Sequence, residues 1–321
     1  MEPIVSAHDV RLSAARLPHW EGVLPPWPGT DEGGVFVRQG PGQGGGEPAL
    51  LVHGLGGAST NWTDLMGLLG EHLDARALDL PGFGRSAPPA DGRYRLGTHV
   101  RAVVQLLERQ GRGPVHLFGN SLGGAVSTRV AALRPDLVRT LTLVSPALPA
   151  LPRGRGSDPR LPLLLLPGLS RLADRALASQ TPQQRADAVI ALCYAHPEAL
   201  PAERRREAVD EVIRRTDLTH ATDAFTGSLR GLVATYVERG PRNLWKQATQ
   251  VRVPTLLVWG EKDRLVDVAL APRALSAFPQ SRLLVLPDVG HVAQLEQPET
   301  VARAFLALLE DEAAARQSTP A

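Results

Sequence analysis

A serine hydroxyl attacks a carbonyl only when a base takes its proton, and an imidazole serves as that base when a carboxylate orients its other nitrogen. Three stretches of this 321-residue chain hold those residue types in one order. Gly119-Asn120-Ser121-Leu122-Gly123 comes first, then Asp263 in Trp259-Gly260-Glu261-Lys262-Asp263, then His291 in Asp288-Val289-Gly290-His291. Pro114 to Gly119 reads as a buried strand before the serine, and Val126, Val130 and Leu133 fall on one face of a helix after it. A strand, G-x-S-x-G and a helix together predict a turn too tight for flanking side chains, one that projects the Ser121 oxygen. The helix start behind it offers free N–H groups to a developing oxyanion.

Asp263 lies just beyond the strand Val253 to Gly260, where a carboxylate would meet the imidazole; Asp267 and Asp288 compete for that task. Of the histidines, His291 alone follows a late strand after an acidic loop. His8 and His19 precede the sheet, His53 belongs to another motif, and His72, His99, His116, His196 and His220 fall in helices, strands or the region after Pro146. That other motif, His53-Gly54-Leu55-Gly56-Gly57, closes a strand. Its bend would aim the Leu55 N–H at the nucleophile, and with the Leu122 N–H it would make a two-donor oxyanion hole. Asp79 to Ser86 reads as a structural turn, with Phe83 a wall of the pocket.

These loops need a frame. Short apolar runs recur at 35–37, 49–54, 75–80, 114–119, 139–145, 253–260 and 282–290, with helical patterns between them. Near-continuous runs suit strands buried on both faces, and intervening helices imply parallel crossovers. The rhythm breaks from Pro146 to about Trp245, where proline-rich loops and helical patterns predict an inserted layer. Thr181-Pro182-Gln183-Gln184 starts one helix, with Ala186, Val189, Ile190 and Cys193 on a shared face. Glu203 to Arg215 and Ala221 to Arg239 are further helices, the latter turning Phe225, Leu229, Leu232, Val233 and Tyr236 inward. The expected pocket is apolar with few charges; Leu161 to Leu166 fit either core packing or an acyl wall, while Arg204, Arg205 and Arg206 read as a solvated face. Pro298 opens a last helix with Val301, Phe305, Leu308 and Leu309 inward, fraying from Glu312.

Composition narrows the class. Apolar residues at 43% and charged ones at 21% fit a globular protein, and a formal charge of +2 leaves no nucleic-acid footprint. A single cysteine, Cys193, excludes a disulfide scaffold and reads as helix core. Gly40 to Gly46 lacks the Lys-Ser/Thr of a phosphate loop, and no H-E-x-x-H or paired cysteines suggest a metal, so neither cofactor nor metal is expected. The amino-terminal stretch has no secretory pattern, and Leu161 to Leu169 is far shorter than the roughly 20 residues of a membrane span. The expected location is cytoplasmic, with no stable membrane insertion.

With HGLGG, DLPGFGRS, GNSLGG, the Asp263 loop and Gly290-His291 in this order, the chain resembles the α/β-hydrolase fold superfamily, in its cap-bearing serine hydrolase branch, over residues 35 to 311. The resemblance implies an α/β fold: a mostly parallel eight-stranded sheet flanked by helices, with a helical cap after the sixth strand. The core would span 1–145 and 246–321 and the cap 146–245; the first strand, before Val35, is not placed. It also implies Ser121, Asp263 and His291 as a triad, and a small-molecule apolar ester as substrate, cleaved by a carboxylesterase through an acyl-enzyme on Ser121. Haloalkane dehalogenases and epoxide hydrolases of similar form use an aspartate where Ser121 stands. The GNSLGG elbow also looks like that of hydrolases of carbon–carbon bonds in ring-cleavage products, although Leu55-Gly56-Gly57 and Val292 depart from their Gly-Pro-Gly and Trp. Cofactor-free haloperoxidase or perhydrolase chemistry needs the same triad, and a ligand-binding or signalling role is compatible with keeping it.

Overall fold

The computed structural model describes residues 12, 22–23, 34–42, 45–150 and 179–318. Strands form at the apolar-rich runs: β3 (Glu47–Val52), β4 (Leu73–Leu78), β5 (Val115–Asn120), β6 (Val138–Val144) and β7 (Thr255–Gly260). Two short strands, β1 (Gly22–Val23) and β2 (Val37–Gln39), extend one edge, and β8 (Ser281–Leu286) ends the other. The eight strands lie in the order β1-β2-β4-β3-β5-β6-β7-β8. The pairings β1 with β2 and β2 with β4 are antiparallel; every other is parallel. The unplaced first strand is therefore Gly22–Val23.

Side chains alternate across the sheet, which divides the core. On one face Leu50, Val52, Leu117, Leu257 and Trp259 pack under α2 (Leu96–Gln110), α3 (Leu122–Leu133), α7 (Leu244–Ala248) and α8 (Ala271–Ala277). On the other, Leu51, Phe118 and Val258 pack under α1 (Thr63–Leu68) and the final helix α10 (Pro298–Ser318), which follows the short α9 (Ala293–Glu296). Val301, Phe305 and Leu308 face inward as expected, but the helix runs on to Ser318 instead of ending at Glu312.

Between β6 and β7 the described residues form helices and turns and no strand. α4 (Pro182–Cys193) begins with the predicted capping box, Thr181 Oγ1 accepting from the Gln184 N–H and Gln184 Oε1 from the Thr181 N–H. α5 (Ala202–Thr216) and α6 (Ala221–Ala234) follow. Ala186 and Ile190 are buried on α4, whereas Val189 is 54% exposed on the rim of a cavity. Leu161 to Leu169 lie outside the described residues. So does most of the lead-in before Val35. Among the described residues no helix is long and apolar enough to cross a membrane.

Candidate active site

Ser121 stands where β5 ends and α3 begins, at φ 53° and ψ −115°. This is a conformation that L-residues avoid and that surrounding structure must enforce. The enforcement is visible: the Ser121 N–H bonds the Val144 carbonyl at 3.0 Å, and the Ser121 carbonyl accepts from Ala125 and Ala147. The flanking glycines are required by close approach. A Cβ on Gly119 would sit 2.5 Å from the Gly123 carbonyl oxygen, and one on Gly123 would sit 2.2 Å from that of Val52.

β7 and β8 bring the other two residues together. Parallel pairing sets Gly260 opposite Leu286, so the loops after both strands leave the same sheet edge. His291 Nδ1 lies 2.9 Å from Asp263 Oδ2 and 3.1 Å from Oδ1, with both residues buried. Burial alone would raise the Asp263 carboxyl pKa. The charge and hydrogen bond of His291, with N–H donors from Val266 and Leu265, outweigh it and hold it below the ordinary carboxylate value. The competing acids stand elsewhere: Asp288 pairs with Lys262 at the surface, and Asp267 accepts the Ala269 N–H. Geometry thus selects Asp263 as the partner of His291.

The two expected oxyanion donors also fit. Among the described residues nothing accepts a hydrogen bond from the Leu55 or Leu122 N–H. Gly54 packs so closely on the elbow that a Cβ there would lie 3.1 Å from that of Ser121. Sequence reasoning left His53 without a task, and here its role is clear. Its Nε2 accepts from the Leu80 N–H at 2.9 Å, so the proton sits on Nδ1, which donates to the Gly54 carbonyl at 2.7 Å. Burial lowers its pKa, keeping it neutral and able to hold the loop in this way. Asn120 and Glu296 were missed as well. The Asn120 side-chain amide donates to Val144 and His291 carbonyls. Glu296 accepts from the Gly290 and Ala195 N–H groups. A side chain that serves a neighbour's backbone leaves no sequence pattern of its own.

Ser121 and His291 both line a cavity of 560 Å³. Its walls include Leu148, Ile190, Phe225, Leu229 and Leu232, so the last three, from α6, turn toward the cavity, while Val233 is exposed and the helix ends at Ala234, short of Tyr236. Three expectations are corrected. Phe83 is not a cavity wall; it packs edge-on to His53, ring centres 5.7 Å apart. Arg204 makes the i,i+3 pair with Glu207 at 2.7 Å, but it is not merely solvated: it also pairs with Asp64 at 2.6 Å, joining α5 to α1. The cavity also carries more charge than expected, since Arg204, Glu207, Glu211 and Arg215 project from one side of α5 at helical spacing. Cys193 borders it too, its thiol pushed up to about 12 by burial and by Asp263 and Glu296, which suits an unreactive residue.

Strand order, an elbow after β5 and a histidine–carboxylate couple on the loops after β7 and β8 define a class: the chain belongs to the alpha/beta hydrolase fold family, whose model matches residues 48–298. It is 30% identical over 273 residues to lipase 1 of Psychrobacter immobilis, covering 83% of this chain and 78% of that one. It is 33% identical over 267 residues to the dihydrolipoyllysine-residue acetyltransferase component of the acetoin cleaving system of Pseudomonas putida, covering 83% of this chain; the match spans only 64% of that relative's length. At 28% identity over 271 residues it is similar to the 2-hydroxy-6-oxo-6-(2'-aminophenyl)hexa-2,4-dienoic acid hydrolase of Metapseudomonas resinovorans, covering 83% and 85% of the two chains.

Proposed function

We propose that the protein is a serine hydrolase of carboxylic esters, with Ser121 as nucleophile, His291 as base and Asp263 as the carboxylate that orients it. The observation that carries this reading is the 2.9 Å contact between His291 Nδ1 and Asp263, on a histidine that shares one cavity with a strained serine. His291 Nε2 takes the proton as Ser121 Oγ bonds to the acyl carbon, and Asp263 stabilises the imidazolium. The Leu55 and Leu122 N–H groups receive the oxyanion. The proton passes to the leaving alcohol as the ester C–O bond breaks, and water, activated by the same imidazole, cleaves the acyl-enzyme. In this reading residues 146–245 form a cap, and its apolar side chains Ile190, Phe225, Leu229 and Leu232 hold the acyl chain.

The similarity to a dienoic acid hydrolase supports a second reading, attack by the same serine on a ketone flanked by a cleavable carbon–carbon bond. Hydrolysis of p-nitrophenyl esters from acetate to palmitate, by wild type and Ser121→Ala side by side, tests the first. Serine-dependent turnover is expected, with a chain-length optimum set by the cavity. Activity that survives in Ser121→Ala would remove Ser121 as nucleophile, and turnover confined to ring-cleavage dienoates would favour the second.

A further inference from the structure

Charged side chains on a cavity wall are ordinarily neutralised by one another, because an uncompensated desolvated charge is expensive. Most of those here follow that rule. Arg204 has Asp64 and Glu207; Glu211 is gripped through both carboxylate oxygens by Arg214, whose Nη1 also donates to the Gly84 carbonyl. Asp267 caps the turn at Ala269.

Arg215 is different. Its Nη2 donates to the Gly56 carbonyl, and among the described residues no carboxylate lies within ion-pair distance of it. The protein crowds the guanidinium enough for burial to pull its pKa below the ordinary arginine value; Glu211 opposes the shift, and Arg214 and Arg185 add to it. The group nevertheless stays charged, since arginine titrates far above any working pH. A guanidinium has five N–H donors; among the described residues one engages Gly56, and the side chain lines the cavity.

We propose that Arg215 supplies a binding site for a carboxylate of the substrate, so that the molecule cleaved at Ser121 carries an acid group besides the carbonyl under attack. The inference rests on the hydrolase reading and names its substrate class. The position suits the task. A Cβ on Gly56, whose φ is 72°, would lie 3.2 Å from the Phe225 ring and 3.5 Å from Arg215 Nη1. Guanidinium and ring therefore rest on the residue next to Leu55, the candidate oxyanion donor. An anion held there lies within a short chain of the reacting carbonyl, with Phe225 against the intervening carbons. The planar fork matches a carboxylate's two oxygens, and the nearby Glu211 favours a single negative charge over a phosphate dianion.

The test compares acid esters with neutral counterparts of equal length. p-Nitrophenyl hydrogen glutarate is set against p-nitrophenyl pentanoate, and 3-(butyryloxy)propanoate against propyl butyrate, so that the acid is offered on the acyl or the alcohol side. We expect wild type to favour at least one acid ester by about tenfold or more in kcat/KM, because a site built to bond a polar group rejects the analogue lacking it. That ratio collapses toward one in Arg215→Gln and partly returns in Arg215→Lys. Calorimetric binding of the same acid esters to Ser121→Ala reads the site without turnover and without altering Arg215. Turnover of neutral esters with no acid preference, and no tighter binding of acids to Ser121→Ala, would overturn the anion site and leave the hydrolase standing. Arg215-dependent acid binding with no ester turnover would do the reverse.

Discussion

The side-chain amide of Asn120 donates to the main-chain carbonyl of His291 at 3.2 Å, so the residue before the candidate nucleophile holds the loop that carries the candidate base. The same nitrogen bonds the Val144 carbonyl at 3.0 Å, fastening the ends of β5 and β6 to that loop. In the proposed mechanism proton transfer between Ser121 and His291 depends on their separation, and small displacements of reacting groups are costly in rate. Asn120→Ala should lower kcat about tenfold or more, by an effect of this kind, and stability by about 1–2 kcal/mol, because the His291 carbonyl loses this donor while Val144 keeps only the Ser121 N–H. Steady-state kinetics and urea unfolding of the variant check both figures.

Strain at Ser121 predicts an unusual pair of stabilities. At φ 53° a Cβ is unfavourable, and glycine relieves it. Ser121→Gly and Ser121→Ala both remove the candidate nucleophile, but the glycine variant should be more stable than the alanine variant by about 1 kcal/mol. Thermal denaturation of the two decides it; an alanine variant that is the more stable would show that the elbow is relaxed.

His99 makes stability pH-dependent. It is fully buried on α2, with Nε2 2.9 Å from Ser228 Oγ, and burial above all holds its pKa at about 3. The unfolded imidazole titrates near ~6.5. Between those values the unfolded chain binds a proton that the folded one refuses, so stability falls as pH drops, by at most about 1.4 kcal/mol per pH unit for this group. In His99→Gln the dependence of unfolding free energy on pH between about 6 and 4 should be shallower by up to that amount. An unchanged slope would remove His99 as its source.

Glu296 joins two segments that sequence leaves unconnected. Its carboxylate accepts from the Gly290 N–H at 2.7 Å and the Ala195 N–H at 2.8 Å, tying the residue before His291 to the chain just after α4. Burial raises its pKa despite these donors. Glu296→Ala strands both N–H groups and should lose about 2–4 kcal/mol; Glu296→Gln, with one acceptor oxygen, should fall between. Melting temperatures in the order wild type, Gln, Ala, with kcat following, are the expected result.

Much of this was legible in the chain itself. Five interior strands fall on apolar-rich runs, as burial on both faces favours. The elbow announces itself through Gly119 and Gly123, since only glycine fits beside those carbonyl oxygens. Asp263 and His291 could be chosen because parallel strands return their following loops to one sheet edge, and the 2.9 Å contact follows from that rule. Gly22–Val23 was not legible, because two residues carry no periodicity and owe their place to pairing with β2.

What the sequence by itself determined, then, is the order of the elements and the reactive residue types at their ends, both written in local pattern. Tertiary structure alone decided which charges meet. Arg204 pairs with Asp64 of α1 while Arg215, on the same helix, finds Gly56 and, among the described residues, no carboxylate. Spacing along α5 predicts only that such side chains share a side; whether a guanidinium is neutralised or left with donors toward the cavity depends on what distant segments place opposite it, and no local pattern encodes that.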